Sequence, residues 1–137
     1  MNALNALREK LSQRADVSRS ERANEIRIEP SLPSGFAITL SSSVEGWCVS
    51  LGDGGFHETF NAAEEALNFV AWTRSSECRL REIWRGRSLE KAVVETFEGG
   101  EWRPVLTNGV LLFPFWRRRR EFTLQNSSER ERMRPPS

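Results

Sequence analysis

From Phe36 onward the chain alternates. In "FAITLS" the residues Phe36, Ile38 and Leu40 share one side of an extended backbone, and in "WCVSL" Trp47, Val49 and Leu51 do the same. Period-2 alternation marks strands of an antiparallel sheet with one face buried and one face wet. This constrains the chain more than any other feature, because such a sheet has to be covered on its apolar side. The cover follows in the sequence. After "GDGG" (52–55), a turn in which Asp-Gly tolerates positive φ, and a third strand "FHETF" (56–60), the pattern changes to a helical period. Asn61 is a good N-cap and Glu64 stands three residues later, as in a capping box. In the helix that runs to about Arg74, Ala63, Ala66, Leu67 and Val70 fall on one side, with Glu64, Glu65 and Asn68 opposite. Trp72 falls on the polar side, so it is either covered from elsewhere in the chain or it is a contact residue.

Turn signals then recur at strand-like spacing, in "RGRS" (85–88), "EGGE" (98–101) and "TNG" (107–109). Between them lie "CRLREIWR", "LEKAVVETF", "WRPVL" and "VLLFPFW". Phe122 and Leu124 resume a period-2 pattern after "RRRR" (117–120), which makes the last strand an edge guarded by charge. The expected fold is α+β: an antiparallel meander of about six strands with one main helix (61–74) packed on one face. A short N-terminal helix is added by Leu4, Leu7 and Leu11, spaced i, i+3, i+7. The 137 residues suit one domain at 30–125. Residues 1–29 read as the N-terminal helix with a polar linker at 15–24, and 126–137 as a disordered tail, since Met133 is its one apolar residue.

The stretch "GWCVSLGDGGFHETFNAAEEALNFV" (46–70) resembles the HicB-like antitoxin pattern: a Gly-aromatic strand, a turn, a short strand, then a helix opening like "T-x-E-E-A". Extended by "LREIWRGRSLEKAVVETF", it also resembles small bacterial β-β-α-β domains of unknown function. The likeness covers roughly 36–97. It implies a small sheet crossed by one helix, in a domain that binds a partner and does not catalyse. HicB-type antitoxins add a DNA-binding segment at the C-terminus. No helical pattern follows residue 74 here, and no functional residue carries over.

Composition narrows the function classes. No window reaches the ~18 apolar residues of a membrane helix, and "MNALNALREKLSQR" lacks the apolar core of a signal peptide, so a cytoplasmic protein is expected. Cys48 and Cys78 read as reduced packing residues. One histidine, His57, and no CxxC pair leave no expected metal site or cofactor. His57 and its strand neighbour Glu58 point to opposite faces, which is poor geometry for a base and its orienter, so no catalytic residue is assigned. Glu64 and Glu65 suit the helix dipole.

Charge is segregated along the chain. Residues 31–73 hold five acids and no Lys or Arg, a net −5, whereas 74–137 hold fourteen bases and nine acids, a net +5. Five tryptophans and eighteen arginines supply the residue types enriched at interface hot spots. The expected function is therefore a non-catalytic protein-binding, adaptor or inhibitor module, antitoxin-like or borne by a mobile element, whose partner has an acidic surface. Its contact residues would be Trp72, Trp84, Trp102, Trp116, Arg117, Arg118, Arg119 and Arg120. The alternative is RNA or single-stranded nucleic-acid binding, in which Arg79, Arg81 and Arg85 line one strand face beside aromatic rings.

Overall fold

In the computed structural model, residues 2–14, 17–44, 46–52, 56–86, 88–109 and 119–126 are described. Their order is α1 (Ala3–Ser12), β1 (Arg19–Arg22), β2 (Glu25–Ile28), β3 (Ile38–Ser43), β4 (Gly46–Leu51), β5 (Phe56–Phe60), α2 (Ala63–Thr73), β6 (Cys78–Arg85), β7 (Ser88–Glu98), β8 (Glu101–Gly109) and β9 (Arg119–Leu124). The fold is α+β as expected, but with two antiparallel sheets in place of one meander. The first has the order β1-β2-β3-β4-β5 and the second β8-β7-β6-β9.

The first sheet behaves as its alternation requires. Ile26, Leu40 and Val49 lie opposite one another across three strands, as do Ile28, Ile38, Leu51 and Phe56 across four. All seven are at most 3% exposed. Both helices cover this face, and Leu4, Leu7 and Leu11 of α1 join Ala66, Leu67 and Val70 of α2 in one core. The opposite face carries Arg27, Thr39, Ser41, Cys48, Ser50, His57 and Thr59, mostly polar residues suited to the wet side of such a sheet.

Three expectations change here. Residues 15–24 read as a linker, yet Arg19–Arg22 form β1, paired with β2. β1 is wholly polar because it is a sheet edge, and α1 holds it: Arg8 Nε donates to Glu21 Oε1 at 3.0 Å, and Arg19 Nη1 donates to the Leu11 carbonyl at 2.8 Å. The signal for β2 was present in "EIRI", where Ile26 and Ile28 alternate with Glu25 and Arg27. The main helix begins one residue later than the capping box implies. Its N-cap is Ala62, with no side-chain cap, so the two carboxylates in its first turn are the favourable feature at that end. Asn126, read as the first residue of the tail, is held to the rest of the fold. Asn126 Oδ1 accepts from the Phe36 N–H at 2.8 Å, its Nδ2 donates to the Thr73 carbonyl at 3.3 Å, and Gln125 N donates to the Ser34 carbonyl at 2.9 Å. These bonds tie the end of β9 to the loop before β3 and to the C-terminus of α2. The Asp53–Gly55 part of the first hairpin turn, the strand expected at 110–116 and the tail from 127 lie outside the described residues.

The second sheet docks on the first through Cys78, Leu80, Ala92 and Val94, which belong to the same core. Glu98-Gly99-Gly100-Glu101 closes β7–β8 with both glycines at positive φ (61° and 81°), the geometry of a tight hairpin. Each long pairing has an irregularity, at Ile83/Trp84 and at Val94/Glu95. The second leaves Val105 unpaired beside Pro104 and exposed, and β8 is an edge strand. A proline and a bulge discourage another chain from adding there.

Cys78 is fully buried and Cys48 half-buried on the polar face of the first sheet; both are free thiols. Burial pushes the Cys78 thiol up from 9.0 to about 12. In the unfolded chain it ionises near its ordinary value, so above pH 9 the folded state holds a proton that the unfolded state has lost. The stability this group contributes is complete below pH 9 and is lost as pH rises from 9 towards 12. Denaturant titrations of wild type and Cys78→Ala at pH 8 and pH 10.5 are expected to show a steeper alkaline loss in the wild type. A thiol reagent at pH 8 is expected to spare Cys78 in the native protein.

Candidate functional site

The outer face of the second sheet holds an arginine-carboxylate lattice. Register places Arg79 opposite Glu95, and both share this face with Arg81, Phe97, Trp102 and Glu121. Glu95 has only 4% of its side chain exposed, and two arginines clamp it. Arg79 Nε donates to Oε1 at 2.6 Å, and Arg81 Nη1 donates to Oε2 at 3.1 Å. Arg81 Nε also donates to Glu121 Oε1 at 2.6 Å on the neighbouring edge strand. Partial desolvation works against the charge on Arg81, but the hydrogen bonds to Glu121 and Glu95 outweigh it and hold its pKa above the ordinary arginine value.

With its Nε fixed, Arg79 lies over the ring of Trp102, its guanidinium carbon 4.5 Å from the ring centroid. Trp102 in turn meets Phe97 edge-on at 5.2 Å. The sequence therefore indicated the arginine stripe and the tryptophan but not how they are held. The missed residue is Glu95. Its signal was a carboxylate on the same strand face as Val93 and Phe97, between two apolar neighbours, where an unpaired charge would be costly.

The expected contact residues do not form one surface. Trp84 and Trp102 fall on opposite faces of the sheet, since Trp84 alternates with Leu80 and Glu82 and faces Leu89, which packs on the core. Trp72 is part of a third place. It is half-buried against the core and packs on Phe69 at 5.7 Å, while Phe69 contacts Phe60 at 5.1 Å and Phe56 at 6.5 Å. The cover that the helical pattern demanded for Trp72 thus comes from its own helix and β5. Arg119 and Arg120 occupy β9, opposite Arg85 and Trp84. Trp116, Arg117 and Arg118 lie outside the described residues.

His57 is exposed on the polar face of the first sheet, opposite Ser50. Between the C-terminal ends of α1 and α2 two adjoining hollows of about 460 and 370 Å³ share Arg14, Ile28, Ala71 and Arg74. Their lining is mixed, with leucines of both helices below and Lys10 at the rim. Among the described residues no three His, Cys, Asp or Glu side chains gather to hold a metal ion, and no helix is long and apolar enough to cross a membrane. No protein-family model, curated protein or solved structure matches the chain.

Proposed function

We propose that the chain is a non-catalytic protein-binding module, an adaptor or inhibitor, whose docking surface is the outer face of the second sheet around Arg79, Arg81 and Trp102. One observation carries the reading: a buried carboxylate holds two arginines in place, and one of them lies over the ring of a half-buried tryptophan. Arginine and tryptophan are hot-spot residues, and their side chains are ordered before a partner arrives, which reduces the ordering cost of association. A partner with an acidic surface fits the remaining guanidinium donors. The resemblance of 46–70 to HicB-like antitoxins agrees with a module that acts by occupying another protein, and a cytoplasmic setting goes with it.

Glu95 and Glu121 offset the charge of Arg79 and Arg81, which weakens the long-range field that phosphate binding relies on but leaves guanidinium donors for short-range contacts with a docked protein. The test is affinity capture from the source cell extract on immobilised wild-type protein, Trp102→Ala and Arg79→Ala. A discrete protein retained by wild type and reduced at least about tenfold by each variant is the expected result for loss of a hot spot. Capture indifferent to both variants overturns the reading. So does steeply salt-dependent binding of single-stranded RNA at ~50 mM salt, the behaviour of phosphate contacts.

A further inference from the structure

The two carboxylates that hold the arginines of the second sheet are held very differently themselves. Glu95 accepts from both Arg79 and Arg81, and 4% of its side chain is exposed. Glu121 accepts from Arg81 alone among the described residues, and 45% of its side chain is exposed. It stands on β9, an edge strand whose partner among the described strands is β6. A buried carboxylate clamped by two cations is costly to move, whereas an exposed ion pair contributes little and is broken at little cost.

The arginines keep donors in reserve. Arg79 gives its Nε to Glu95, and neither of its Nη atoms has an acceptor among the described residues. Arg81 gives Nη1 to Glu95 and Nε to Glu121, and its Nη2 has no acceptor among them. Nε and Nη2 lie on one edge of a guanidinium plane, the edge that takes both oxygens of a carboxylate as a fork. Glu121 makes one of the two bonds that this edge offers. The side chains of Arg79 and Arg81 are 25% and 31% exposed, so both are open to a docking chain.

From this asymmetry we infer that Glu121 occupies the place of a partner's carboxylate. An acidic segment of the partner displaces it, takes the Nε and Nη2 edge of Arg81, and sets a second acid against the Nη atoms of Arg79. The two arginines are alternate residues of β6, hence about 7 Å apart along the strand. That is also the spacing of alternate side chains in an extended chain, so the segment that fits is extended and carries acids at every second position. The inference rests on the protein-binding reading and names the chemistry of the partner at that same face. It gives the two carboxylates opposite effects. Glu95 holds the arginines in the binding arrangement, so its loss weakens binding. Glu121 competes with the partner, so its loss strengthens binding, and its presence disfavours chains that bring too few acids to displace it.

The experiment is an NMR titration of the arginine Nε–H signals of the full chain with an acetylated hexaglutamate peptide at ~50 mM salt, where charge contacts are weakly screened. The signals of Arg79 and Arg81 are expected to move and to saturate. Glu121→Gln keeps the shape, removes the charge, and is expected to bind the peptide about three- to fivefold more tightly, the upper range for an exposed ion pair. Glu95→Gln is expected to bind it more weakly than wild type. Glu101→Gln is the control for net charge. Glu101 is 73% exposed, meets Arg103 at 3.9 Å and bonds to neither Arg79 nor Arg81, so its replacement is expected to leave the affinity near that of wild type. Circular dichroism checks that each variant is folded. An unchanged or lower affinity in Glu121→Gln overturns the inference, as does an equal gain in Glu101→Gln. So do Arg79 and Arg81 signals that stay in place, or a uridine hexamer that binds Glu121→Gln as tightly as the peptide. If the peptide fails while another protein is captured through Trp102 and Arg79, this inference falls and the protein-binding reading stands. If that capture fails too, both fall.

Discussion

Replacing Glu95 with alanine is expected to lower the stability of the fold by about 3 kcal/mol, the usual cost of breaking a buried charge pair from one side. Glu95 lies at the centre of the outer sheet face and accepts from both Arg79 and Arg81. The two arginines are about a quarter to a third exposed, so each can turn partly to water, and this keeps the figure at the low end of the range. The methyl side chain of alanine also leaves a void between β6 and β7. Glu95→Gln keeps the shape and one acceptor and is expected to cost about half as much, since charge-assisted bonds are roughly twice as strong as neutral ones. Urea titration with matched m-values measures both. A further readout separates this carboxylate from a merely buried polar group. Without it Arg79 is no longer held on Trp102, so both variants are expected to weaken partner capture as Arg79→Ala does. Glu95→Ala with unchanged stability would show that the arginines, and not the carboxylate, organise this face.

The second large effect is expected at Gly46, and its origin is steric. Gly46 opens β4 with φ at 137°, a region that L side chains rarely adopt. A Cβ there would run into the Phe60 carbonyl oxygen of β5, a backbone atom that cannot rotate away. Gly46→Ala is therefore expected to cost about 3 kcal/mol or more, the range of strained backbone combined with overpacking. It is also expected to loosen Trp47 and Phe60, which face each other across the β4–β5 pair. Gly100 is the control. It has φ at 81° in the β7–β8 turn with no atom within 4 Å of a built Cβ. Gly100→Ala meets only the backbone preference, about 1 kcal/mol. Thermal melts that show equal losses at the two positions would refute the steric account.

Much of the first sheet and its helix was legible in the chain. Ile38, Leu40, Val49 and Leu51 alternate because one face must leave water, and the same requirement spaces Ala66, Leu67 and Val70 around a helix. β1 was not legible, because RSER carries no apolar residue. It is a strand through backbone pairing with β2 and through the side chains of Arg8 and Arg19, whose bonds span 13 and 8 positions in sequence. The split into two sheets was hidden for a related reason. A strand's alternation states that it has a wet and a dry face but not which strand lies beside it. β9 pairs with β6, across more than 30 intervening residues, where a meander would place it next to its predecessor in sequence.

The candidate site divides along the same line. Arginines and tryptophans are visible as residue types, and alternation alone assigned Arg79 and Arg81 to one strand face and Trp84 to the other. That assignment is local geometry, and it holds in β6. Whether a given arginine is a free cation or a fixed one is not local. Glu95 lies 14 and 16 positions from its two arginines, and Glu121 lies 40 from Arg81. Hydrophobic periodicity is a property of neighbouring residues, so the sequence by itself determined the α+β class, most of the strands and the core face of α2. Charge pairing depends on which distant strands are brought side by side. Only the tertiary structure decided that Arg79 and Arg81 form a clamped surface with Trp102 beneath one of them.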